Sequence, residues 1–131
     1  MKSNLVVFAS VCAVTLVSIG CSSSTKDSTP VGTVPAGAFT FEISQEGAAV
    51  APGATSRFVL KPTGAKPASV TGWIGVASGE GSTKKDAVYD ANDGDFDDDV
   101  VAPSPLPAGA MFWFTVTDGA ASTTASIAWK K

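Results

Sequence analysis

Proline or glycine interrupts most windows of this chain long enough to hold a helix, and no segment after residue 20 keeps a helical period. Between those breaks the apolar residues fall on alternate positions, the period of a strand with one buried face. Phe39, Phe41 and Ile43 alternate with Thr40, Glu42 and Ser44, and Arg57–Lys61 is a second short strand stopped by Pro62. Val70–Ala77 is a third, where Gly72 and Gly75 indicate a bulge or a close backbone approach. Ala87–Ala91 and Phe96–Val101 flank a turn, Met111–Thr117 is the most apolar strand, and Ser122–Trp129 closes the series. The chain is therefore expected to be all-β, with about seven strands in a domain over residues 39–131. Its inward faces would come from Phe39, Phe41, Ile43, Phe58, Leu60, Ile74, Val76, Phe112, Phe114, Val116, Ala125 and Ile127, with Trp129 in the same parity.

The first twenty residues belong to another category. Lys2 is followed by the uncharged, mostly apolar run Leu5–Ile19, and a small residue then precedes Cys21, which is the order of a secretory signal. Fifteen residues in a helix span about 22 Å, too few for a hydrocarbon core of about 30 Å. Ser18, Ile19, Gly20 and Cys21 resemble the lipobox of bacterial lipoproteins, with Ser18 standing where an aliphatic residue is usual. That resemblance implies cleavage before Cys21, acylation of its thiol with a lipid such as palmitate, and an exported protein anchored to the membrane. Ser22, rather than Asp, follows the lipid site; in an enteric bacterium that would favour the outer membrane. Residues 21–38, rich in Ser, Thr, Pro and Gly, are then expected to be a flexible tether.

Seven strands at short intervals with turn signals between them resemble an immunoglobulin-like β-sandwich. The resemblance is one of architecture and brings no function with it. Cys12 lies in the apolar run and Cys21 is the lipid site, so no disulfide framework is available.

Two features suggest binding. The first is acidic: Asp86, Asp90, Asp93, Asp95, Asp97, Asp98 and Asp99 place seven of the twelve acids within fourteen residues. With Asp93 and Gly94 as a two-residue hairpin turn, Tyr89 would face Asp98 and Ala87 would face Val100. Hard cations take oxygen ligands from such tight acidic loops, so Asp90, Asn92, Asp93, Asp95 and Asp97 are candidate calcium ligands. The spacing departs from a helix-loop-helix calcium loop by one residue, and the bland reading is charge that keeps a sheet edge from pairing. The second feature is aromatic. By parity Trp73 and Trp113 point away from the core, where they would form a platform for a carbohydrate or a protein.

What is missing narrows the choice further. The chain has no histidine, which removes the commonest general base and metal ligand together. After residue 20 twelve acids stand against eight bases, a net charge of −4 that argues against nucleic acid as a partner. The sequence thus reads as a non-catalytic, membrane-anchored lipoprotein of the cell envelope that acts as an interaction or structural module, without a cofactor. Calcium binding by hairpin 90–99 and a glycan-binding surface on Trp73 and Trp113 are the alternatives, and an envelope protein or glycan is the expected partner.

Overall fold

A computed structural model of the chain describes residues 28–47, 49–77 and 80–130. Eight strands follow one another: β1 (Ser28–Ala36), β2 (Phe39–Glu46), β3 (Thr55–Pro62), β4 (Ser69–Gly75), β5 (Lys85–Asp90), β6 (Asp95–Val101), β7 (Met111–Asp118) and β8 (Ala121–Ile127). All pair antiparallel in the order β1-β2-β3-β6-β5-β4-β7-β8, and no helix occurs among the described residues. The all-β class expected from alternation holds.

The sheet curls until its two halves face each other as a nearly closed, barrel-like sandwich. Phe41 and Ile43 of β2, Phe58 and Leu60 of β3, and Phe96 and Val100 of β6 meet Val70 and Ile74 of β4 and Phe112, Phe114 and Val116 of β7. The Phe58 and Phe112 rings stack 3.9 Å apart, and Phe41 meets Phe114 edge-on at 5.6 Å. At the far side β1 comes up to β8: a Cβ on Gly32 would lie 3.1 Å from Ile127 Cδ1. Hairpins β1–β2 and β7–β8 both turn on a Gly-Ala pair, with Gly37 and Gly119 at φ +64° and +60°. Glycine first and an ordinary residue second is what a II′ hairpin requires.

Several expectations are corrected. Residues 28–36, read as part of the tether, form β1 and raise the strand number to eight. Pro30 and Pro35 are tolerated because β1 is hydrogen-bonded only to β2, and a bulge between Pro30 and Gly32 absorbs the irregularity. The acidic hairpin turns over four residues, not two: Asp90 faces Asp95, Tyr89 faces Phe96 and Val88 faces Asp97. The reason is local. Only Gly94 has positive φ, at +73°, whereas a two-residue turn on Asp93-Gly94 would need it at both positions. Nor is that hairpin an edge, since β6 lies between β3 and β5. Val76 is 40% exposed because β4 ends at Gly75, and Phe39, Ala125, Ile127 and Trp129 are half-buried at the margin of the core.

Candidate functional site

β5 divides its pairing. Lys85, Asp86 and Ala87 pair with Gly72, Thr71 and Val70 of β4, whereas Val88, Tyr89 and Asp90 pair with β6. The second half of β6, from Asp98 onward, keeps β3 on one side but has no β5 partner on the other. Over this split lies a groove of about 500 Å³ lined by Arg57, Lys85, Asp86, Tyr89, Asp97 and Asp98, among others.

Asp98 is the residue that alternation in β6 sends inward, between Phe96 and Val100. It is only 4% exposed, and its Oδ2 has no hydrogen-bond partner. The Gly72 backbone N–H donates to the carboxyl, and a Cβ on Gly72 would stand 2.6 Å from Oδ2, so only glycine lets β4 pass this close. Burial pushes the carboxyl up to a pKa of about 7; Lys85 and the Gly72 N–H oppose the rise, while Asp99 and Asp86 add to it. A buried carboxyl without a full set of donors is costly, and such groups concentrate at functional sites.

The groove wall is already committed. Arg57 pairs with Asp97 and reaches Glu46 Oε2 at 3.2 Å through Nε. Burial works against the Arg57 charge, but the hydrogen bond to Asp97 and the nearby carboxylates leave its pKa raised. Thr71 donates its hydroxyl to Asp86 Oδ1 at 2.9 Å. On the rim, the Lys66 ammonium sits 3.7 Å from the centre of the Tyr89 ring.

Of the five residues read as calcium ligands, Asp90 accepts hydrogen bonds from Asn92 N and Nδ2 at 2.8 and 3.0 Å. Asp93 stands exposed at the tip, and Asp97 belongs to Arg57. Burial first, then the carboxylates of Asp97, Asp93 and Asp90, raise the pKa of Asp95, with Lys61 opposing. The hairpin thus crowds these acids electrostatically. Among the described residues, however, no three metal-ligating side chains are arranged to hold an ion.

Trp73 does point to the face opposite Val70 and Ile74, but it is 1% exposed and offers no platform. The segment after β4 folds back over it. Ser82 N–H donates to Ile74 O and Ile74 N–H to Ser82 Oγ, both at 2.8 Å, and Lys84 Nζ comes to 4.4 Å over the indole. Trp113 stacks beside it at 6.3 Å and spends its own N–H on Gly75 O. Cys21 lies outside the described residues.

Asp98 was not among the residues picked out from the sequence as ligands, although the signal was there: in the run Phe96 to Val100 it shares the parity of two core residues. No protein-family profile, no curated protein and no solved structure matches the chain.

Proposed function

We propose that this chain is a non-catalytic lipoprotein of the bacterial cell envelope, exported and held at a membrane by acyl groups on Cys21. The observation that carries this reading is the order of Lys2, the apolar run Leu5–Ile19 and the lipobox-like Ser18-Ile19-Gly20-Cys21. The start of β1 adds a geometric consequence. Six residues separate Cys21 from Ser28, and at about 3.6 Å per residue they reach no more than about 25 Å. The domain therefore works within one domain's breadth of the lipid surface, as an interaction or structural module.

The reading is tested by expressing the full chain in a bacterial host fed an alkyne analogue of palmitate. The wild-type chain is expected in the membrane fraction and labelled, and Cys21→Ala is expected to lose the label. An unlabelled, soluble wild-type chain, or a labelled Cys21→Ala, refutes lipid anchoring.

A further inference from the structure

We propose that the end of the barrel at which β1 begins is a membrane-contacting face, whose apolar cleft at Leu106 and Trp129, flanked by Lys130, seats on an anionic lipid bilayer. This inference rests on the lipid anchor proposed above and adds an orientation to it.

The strand registers decide which parts of the chain meet at that end. Ser28 lies opposite Glu46, Gly75 opposite Met111, and Phe112 opposite Ile127. The start of β1, residues 49–54 and 102–110, and the residues after β8 therefore gather together. Backbone hydrogen bonds tie two of these segments, from Gly53 N–H to Ala102 O and from Ala102 N–H to Ala54 O. Between them is a cleft of about 330 Å³ lined by Val50, Leu106, Pro107, Ala108, Ala110 and Trp129, among others, and no charged side chain borders it. A second cleft, of about 320 Å³, opens at Val101, Ala102 and Pro103, with Lys85 at its edge. Val76 and Val101, two of the three large apolar side chains left exposed among the described residues, belong to the same end.

Apolar surface gathered in this way marks a contact face, and reach, chemistry and charge favour a bilayer over a protein. Only six residues separate Cys21 from Ser28, which keeps this end within about 25 Å of the lipid. Lipid is therefore always at hand, whereas a protein would have to enter the gap. Trp129 is half-buried and Lys130 beside it is exposed. That pairing suits a membrane–water interface, where an indole rests at headgroup level and a lysine extends its ammonium to the phosphates. Lys84, Lys85 and Lys130 stand at this end; Glu46 is held by Arg57, leaving Glu80 and Asp99 as exposed acids there. The acidic tip with Asp90, Asp93 and Asp95 lies at the opposite end, as does Asp118 in the β7–β8 hairpin. The seven residues of β6 set the two ends about 20 Å apart, roughly two Debye lengths at 0.1 M salt, so the far acids scarcely oppose docking of the near end.

The experiment takes the full chain, purified from a bacterial membrane, into vesicles of phosphatidylcholine with or without phosphatidylglycerol. Acylated Cys21 has no free thiol and Cys12 leaves with the signal, so Ala108→Cys and Ala120→Cys each supply one thiol for a nitrobenzoxadiazole label. Ala108 lines the cleft and Ala120 lies in the β7–β8 turn at the far end, both exposed. In phosphatidylglycerol vesicles the label on residue 108 is expected to shift to the blue, and the label on residue 120 to keep its aqueous emission. Lys130→Gln should lower the docked-to-free ratio about fivefold, as removal of one lysine from an anionic surface does.

Equal shifts at the two positions, or a shift at residue 120 alone, overturn the proposal. So does a ratio that Lys130→Gln or the omission of phosphatidylglycerol leaves unchanged. A shift at residue 108 that appears only as the surface density of the chain rises marks a second copy in the cleft and overturns it too. A chain that carries the palmitate label and floats with the vesicles, yet keeps the residue 108 probe in water, refutes the face and leaves the anchor standing. A chain that neither takes the label nor binds vesicles refutes both.

Discussion

A carboxyl placed between Phe96 and Val100 must leave water when the sheet curls, and the consequence for stability has a definite sign. The folded chain holds the Asp98 proton to a pKa of about 7, against 3.8 for the free side chain. Folding therefore binds a proton that the unfolded chain gives up. The contribution is whole below the unfolded pKa, is lost as pH rises towards the folded one, and changes no further above it. Between pH 5 and pH 8 the wild-type chain should lose on the order of 2 kcal/mol, read from urea midpoints with the slope unchanged. Asp95, also raised mainly by burial, adds a smaller change of the same sign. Asp98→Asn should flatten most of this dependence and stand above the wild-type chain at pH 8. Parallel pH profiles for the two chains would mean that other groups control it. Gly72 belongs to the same account, because any side chain there would meet both Asp98 and the Phe112 ring.

Among the elements, β4 shows why a surface-facing tryptophan can still be structural. Its indole is sealed by Lys84 on one side and flanked by Trp113, while the returning segment is held so tightly that a Cβ on Gly75 would lie 1.7 Å from Glu80 O. Trp73→Ala is expected to cost about 3–5 kcal/mol in denaturant unfolding, as a large buried side chain does, not the fraction of that typical of an exposed one. A loss below about 0.5 kcal/mol would show that the covering segment contributes nothing to the fold. Alternation revealed seven strands because Phe39 to Ile43 or Met111 to Val116 carry large apolar residues on one face. The close approaches at Gly72 and Gly75 were legible for the same reason: glycine inside a strand pattern marks a neighbour. β1 was not legible. Its apolar content is Val31 and Val34 between two prolines, and its place depends on the β2 edge, a non-local partner that composition does not announce. The hairpin was legible as a hairpin, but its register was set by Gly94 alone. Burial of Trp73 depended on a loop whose path no periodicity encodes. Parity gave the side of the sheet on which it lies and said nothing of what covers it.

At the scale of the whole molecule, the terminal strands decide whether the sheet closes. β1 covers the hydrogen-bonding edge of β2 and brings Gly32 against Ile127 of β8, so the first and last strands seal the same side of the core. Val31, Val34, Ile127 and Trp129 pack there as half-buried residues. A chain lacking residues 28–36 would present β2 with an unpaired edge and uncover that margin, and exposed edges recruit other chains. The deletion variant is therefore expected to self-associate in light scattering, at concentrations where the wild-type chain stays monomeric. Inserting a Gly/Ser stretch between residues 22 and 27 is expected to leave the monomer and its unfolding midpoint unchanged. A monomeric deletion variant of wild-type stability would return residues 28–36 to the role of a tether and make the domain begin at β2. Self-association of the deletion variant alone would fix the domain boundary at Ser28. It would also set the spacing between Cys21 and the fold at the six intervening residues.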